Sequence, residues 1–457
     1  MSTLWSKELI LCLTTNYYQL WGGVLLIIFS LFVVGCDNGS SDSGTSNTTT
    51  SKSYTITFHS NGGTGNMQEV TISGTEPLPV CTFTREGFAF SGWNTKADGS
   101  GTRYADKGYC TPKEDMTLYA QWDEPKASVT TTSGTTSYAT LAAALAAAPS
   151  GSTITLKANS TTPAIGLTIT KSITLDLNGC TIEAASDQSE SLLVVAEQGS
   201  LTIKDSRSRG KITLSKPITS NSGTIKNEGK LTINGGTIEN TGTESKSYAI
   251  CSLGGTVTIN GGTITSDSAN AINKNSSIGG KMTLSVTGGT ISSTNADAIV
   301  IGSGDAIAIS GGTISSREGA AIKSNVNDGT ATISGGTITS SGTYAISGLD
   351  IILSGAPTIK GKNADICLKS YYSDWKNNKI AGKLTITDQL KITDGESSTK
   401  LYAPTPAVFT AGTGYTITPN DVSKLSFVDS TGAPYKNGSF TYSLELKNSS
   451  VSLKQDI

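Results

Sequence analysis

Between residues 153 and 360 the chain alternates apolar and polar residues in short bursts, such as Thr153-Ile154-Thr155-Leu156, Leu231-Thr232-Ile233 and Ile264-Thr265-Ser266. Alternation with period two predicts short strands with one face buried. Gly-Gly and Asn-Gly pairs separate the bursts and suit corners that need a positive φ. The bursts recur in register. Gly-Gly-Thr-Ile stands at 235–238, 261–264, 288–291, 311–314 and 335–338, with degenerate copies around Ile182, Ile212 and Ile359. These isoleucines are 30, 26, 26, 27, 23, 24 and 21 residues apart. A second series runs Ile203, Ile233, Ile259, Val286, Ile309, Ile333, Leu353, and a third runs Ile250, Ile272, Ile299, Ile322, Ile346, Ile366. Three apolar strands per period describe one coil of a right-handed parallel β-helix, which we place over residues 137–395. A coil buries its apolar side only against its neighbours, so eight to ten of them at about 4.8 Å make a rod of about 40–50 Å. A propeller is the competing arrangement, but its blades need about 40 residues each.

Such a rod needs covers. "TLAAALAAA" within residues 138–148 is a strong helix former, with Thr140 as N-cap and Pro149 as stop. It resembles the short helix that plugs the first coil of pectate-lyase-like folds. Residues 396–457 read as further strands, a C-terminal β cap. The expected class is therefore all-β.

At the other end, Leu20–Val34 is a mostly apolar run of 15 residues, short for a membrane span and suited to a signal-peptide core. It leads into Val33-Val34-Gly35-Cys36, which resembles the bacterial lipobox. That resemblance implies a signal peptide over 1–35, lipidation of Cys36 and membrane attachment through the lipid. The competing reading is an uncleaved anchor. Residues 36–52 are then a tether, because nine of the sixteen positions 37–52 are Ser or Thr and almost none is apolar.

Residues 53–123 form a separate unit. Tyr54-Thr55-Ile56-Thr57-Phe58 alternates as a strand should, and Asn61-Gly62-Gly63 supplies a turn. The stretches "YTITFHSNGGTG", "FTREGFAFSGWNTKADGSGTRYAD" and "TLYAQW" resemble the internalin-type B repeat, also called the Listeria–Bacteroides repeat. The resemblance implies a small β-grasp-like module of bacterial surface proteins. Its aromatic residues must supply most of its core. Cys81 and Cys110 lie inside it and form a candidate disulfide in an exported protein. Residues 124–136 are read as a linker.

Composition then narrows the chemistry. A net charge of -2 gives no electrostatic footprint for nucleic acid. The single histidine, His59, follows a strand and reads as an ordinary surface residue; one imidazole supplies neither a multi-histidine zinc site nor, without partners, a catalytic triad. No metal or cofactor is expected. The polysaccharide lyases and hydrolases built on β-helices need converging carboxylates or a basic proton acceptor. Here Asp205, Asp267, Asp297, Asp305 and Asp328 fall at different phases of the coil, and Arg317 shares a phase with Asp267 only two coils away. Cys251 and Cys367 share a phase five coils apart, about 24 Å, too far to bridge. The candidate contact patch is Tyr371, Tyr372 and Trp375. The reading is a non-catalytic, lipid-anchored cell-surface protein, at the outer membrane or cell surface, that binds host matrix protein, glycan or neighbouring cells. A polysaccharide-degrading enzyme and a passive spacer are its rivals.

Overall fold

The computed structural model describes residues 52–368 apart from 187, 217–221, 245, 276–279 and 327–328, and beyond 368 chiefly the backbone of several strands. Cys36 and the leader lie outside the described residues.

The first module contains β1 (Tyr54–His59), β2 (Val70–Ile72), β3 (Glu76–Pro77), β4 (Ala89–Asn94), β5 (Arg103–Tyr104), β6 (Tyr109–Cys110) and β7 (Met116–Asp123). Its main sheet has the order β2-β1-β7-β4-β5, with β1 and β7 parallel at its centre and the other pairs antiparallel. Alternation turns Ile56 and Phe58 inward to meet Trp93, Phe83, Leu118 and Ile72 in one aromatic core. The Trp93 ring contacts Phe58 at 4.8 Å and Phe90 at 4.9 Å between centroids.

The second body is a parallel β-helix. Residues read as a linker in fact begin it: β8 (Ala127–Thr131) and β9 (Gly134–Tyr138) form a hairpin, and β8 pairs antiparallel with β10 (Ser152–Leu156), the first strand of the helix. Between hairpin and coil stands α1 (Leu141–Ala147), the expected plug. Thr140 Oγ1 accepts the Ala143 N–H at 3.1 Å, which satisfies one of the orphan donors of the first turn. Leu141 and Ala144 point into the core.

After β10, β11 (Ser160–Thr161) and β12 (Leu167–Ile169) complete the first coil and begin the second and third faces. The three isoleucine registers are the three faces. On the second, Ile182, Ile212, Ile238, Ile264, Ile291, Ile314, Ile338 and Ile359 stack residue on residue in a nine-stranded parallel sheet. All are buried, as are the Ile259 and Ile272 series of the first and third faces. Removing each such side chain from water is worth about 1.5–3 kcal/mol, so stacking alone supplies a continuous core.

The coil extends further than expected. The strands Thr399–Tyr402, Val408–Ala411 and Leu425–Phe427 still pair in parallel on the first and third faces, beyond the boundary at 395. Only then do Phe440–Lys447 and Ser450–Gln455 pair antiparallel with one another.

Candidate interaction surface

The outward positions of the second face form two columns. One reads Thr237, Thr263, Thr290, Thr313, Thr337, Thr358; the other reads Glu239, Thr265, Ser292, Ser315, Thr339, Lys360. Register keeps each column straight, because parallel strands of equal phase stack about 4.8 Å apart. From Thr263 to Thr339 the two columns carry hydroxyls and no charge over four consecutive coils. Most of these side chains are half-exposed, since each rests on the next, and Ser292 Oγ donates to Thr265 Oγ1 at 3.1 Å. The first face repeats the theme with Thr174, Thr202, Thr232, Thr258 and Ser285. Charged pairs gather nearer the first coils: Lys204–Asp176 at 3.2 Å, Lys211–Glu239 at 2.9 Å and Lys226–Glu228 at 2.9 Å.

The described carboxylates near the corners serve the backbone. Asp205 accepts the N–H groups of Gly179 and Gly210, at 2.7 and 2.6 Å. Asp305 accepts those of Met282 and Gly302, both at 2.7 Å. Asp297 accepts the Ala320 N–H at 2.7 Å and meets Lys323 at 3.3 Å. Burial pushes the Asp176 carboxyl upward, but hydrogen bonds from Ser206, Lys204 and Asn178 outweigh it and hold the group below its ordinary value. Glu239 is likewise held down, burial being outweighed by Lys211 and Thr213. Asp267 and Arg317 share a column two coils apart, as the phases require. Arg317 instead meets Asn295 at 3.0 Å and Glu318 at 3.5 Å. Asp328 lies outside the described residues. Among the described residues no group of three or more His, Cys, Asp or Glu side chains is arranged to hold a metal ion.

His59 is exposed, and its Nδ1 accepts the Asn61 N–H at 3.0 Å. Cys81 and Cys110 border the same aromatic core and are both free thiols, so the candidate bridge is absent. Burial pushes the Cys81 thiol up to about 12. Cys251 and Cys367 are buried, and burial pushes both thiols up to about 11. The backbone of Tyr371 and Tyr372 lies on the strand Ser370–Tyr372, paired with Lys379–Ala381. Their side chains, and Trp375 altogether, lie outside the described residues.

Sequence reasoning passed over a row of buried serines. Ser293 Oγ donates to Ala269 O at 2.9 Å, Ser316 Oγ to Ala296 O at 2.7 Å and Ser340 Oγ to Gly319 O at 2.6 Å. Each also accepts an N–H from its own turn, Ala296, Gly319 and Thr343 respectively. The signal was present in the Thr-Ile-x-Ser recurrence, where the inward position after isoleucine is polar.

The module's sheet order and aromatic core give the comparison with known proteins its meaning. Residues 54–121 match the Listeria-Bacteroides repeat domain. Repeats of this kind occur in surface proteins. No curated protein and no solved structure matches the chain. Among the described residues no helix is long and apolar enough to cross a membrane.

Proposed function

We propose that the protein is a non-catalytic, lipid-anchored adhesion or interaction protein of the bacterial cell envelope. The observation that carries this reading is the uncharged hydroxyl face from Thr263 to Thr339, set in tandem with a surface-type repeat. Rigid columns of Ser and Thr present donors and acceptors at fixed spacing, with little entropy left to lose on binding. Glycan hydroxyls or matrix protein backbones suit such a face. Carboxylates committed to backbone N–H groups are poorly placed for proton transfer, which favours binding over the rival polysaccharide-degrading chemistry. Lipidation at Cys36 holds the molecule at a membrane.

Binding of the full chain to arrays of matrix proteins and glycans is the test, with Thr290→Lys and Thr313→Lys as face variants. Capture that both substitutions weaken at least tenfold agrees with the proposal. Binding to none of these ligands would favour a passive spacer. Release of reducing ends or unsaturated products from pectins or other uronans would favour the enzyme. Cys36→Ala is expected to move the protein from the membrane to the soluble fraction, and external protease is expected to remove it from intact cells.

A further inference from the structure

The thirty residues 127–156 contain no Asp, Glu, Lys or Arg. They build the whole first end of the β-helix: the hairpin β8–β9, the helix α1 and strand β10. End caps of stacked folds ordinarily turn a polar face outward to keep the rod soluble. Here the outward side of α1 is Ala143, Ala146 and Ala147, all exposed. Shallow grooves of about 330 and 310 Å³ flank the helix, the first lined by Leu145, Leu167, Ile169 and Lys171, whose Nζ donates to the Ala148 carbonyl at 3.0 Å, and the second by Thr135, Thr136, Tyr138 and Pro149.

Strand β9 is the outer edge of the same sheet, pairing with β8 alone among the described strands. Strand β4 of the preceding module comes close to β9, yet Gly134, Thr135, Thr136 and Ser137 remain exposed with it in place. The edge has neither proline nor charge, the two devices that usually block pairing with another chain. Alternate backbone N–H and C=O groups of β9 therefore point away from β8 and are paired with no described strand.

We infer that this cap is the interface of an end-to-end homodimer, in which β9 pairs antiparallel with β9 of a second copy across a two-fold axis at Thr136. Three features select a second copy as the occupant. The edge strand and the helix themselves carry no charge, so they meet their own copies without repulsion, and a two-fold axis demands that they do so. Antiparallel pairing continues the existing β9-β8-β10 sheet from one molecule into the other. The alanine face of α1 from each copy is covered beside that seam. The surface is small. A five-residue strand spans about 17 Å and the helix about 10 Å, so some 600 Å² is buried in all, below the standard interface and fitting a weak dimer that gains from crowding at a membrane. This inference concerns the end of the rod and stands apart from ligand binding on its lateral faces.

Cysteine cross-linking of the full chain in membranes tests it. The axis places two Thr136→Cys thiols directly opposite one another, with Cα atoms about 4.5–5.5 Å apart, within disulfide range. Mild oxidation is expected to give a dimer from Thr136→Cys and none above the parent background from Thr161→Cys, an exposed position on the second face. Adding Ala146→Glu and Ala147→Glu to Thr136→Cys is expected to cut the dimer at least fivefold at low salt, with the melting temperature unchanged because both positions face solvent in a single chain. Equal yields from Thr136→Cys and Thr161→Cys would mean random collision and overturn the inference. So would a Thr136→Cys thiol that reacts freely with a water-soluble maleimide and never cross-links. Protection of that thiol without any dimer would give the cap to a lipid surface or another protein, and would equally overturn it.

Discussion

A single buried oxygen decides how each corner after the second face is held. Ser293 and Ser316 both donate to the carbonyl of the neighbouring coil and accept an N–H from their own turn. Alanine at either position leaves a carbonyl and an N–H, at least one of them only half-buried, unmatched, so Ser316→Ala is expected to cost about 1 kcal/mol, read by urea unfolding, whereas exposed Ser341→Ala is expected to cost almost nothing. Charge works the same way at Asp176. Its carboxyl is held below the ordinary value, so the stability it adds is complete above the unfolded pKa of about 4 and is lost as pH falls through the folded value. Melting temperature is therefore expected to drop steeply only in acid, and Asp176→Asn is expected to flatten part of that drop. Cys81 offers a third check. A thiol pushed up to about 12 is almost wholly protonated at pH 8, so iodoacetamide should label it far more slowly than an unstructured cysteine.

At the scale of an element, the corner glycines separate shape from space. Gly312 sits at φ +80, and a Cβ there would meet the carbonyl of Gly288, its oxygen at 2.8 Å and its carbon at 2.9 Å. Gly312→Ala thus combines a left-handed backbone with a clash against the adjacent coil, and is expected to cost about 2 kcal/mol or more by thermal or urea unfolding. Gly280 has no positive φ and open space around it, so Gly280→Ala is expected to be neutral or slightly stabilising. The strands and their faces were legible because stacking demands one apolar residue at one phase of every coil, and Ile264 or Ile299 satisfies that demand in plain view. The α1 plug was legible through its alanines and Thr140 cap. The β8–β9 hairpin was not: Thr-Ser-Gly-Thr without apolar alternation looks like a linker, and only pairing with β10 makes it structure. The hydroxyl columns of the second face were visible as composition, whereas their straightness follows from register. The buried serines escaped because burial of a polar side chain depends on a carbonyl contributed by the neighbouring coil.

For the whole molecule the central question is whether the coils are interchangeable parts. Each touches chiefly its two neighbours, so stability is close to a sum over coils and their interfaces. The sequence offers a clean excision. Ser-Gly-Gly-Thr-Ile occurs at 310–314 and again at 334–338, so removing residues 311–334 joins Ser310 to Gly335 with an unchanged local sequence. Thr290–Ser293 would then stack against Thr337–Ser340, Ile299 against Ile346 and Ala306–Ile309 against Asp350–Leu353, positions that already carry equivalent residues one coil apart. Only one layer of core is lost. The excised protein is expected to unfold cooperatively, to melt within several degrees of the parent and to be shorter by about 4.8 Å in solution scattering. Removing half that length, residues 311–322, supplies the contrast. It would place a third-face strand where a second-face strand must lie, so Ala331, Ile333 and the following apolar residues no longer meet their columns. That variant is expected to lose its cooperative transition. If both deletions behaved alike, phase would not be what holds the coil together.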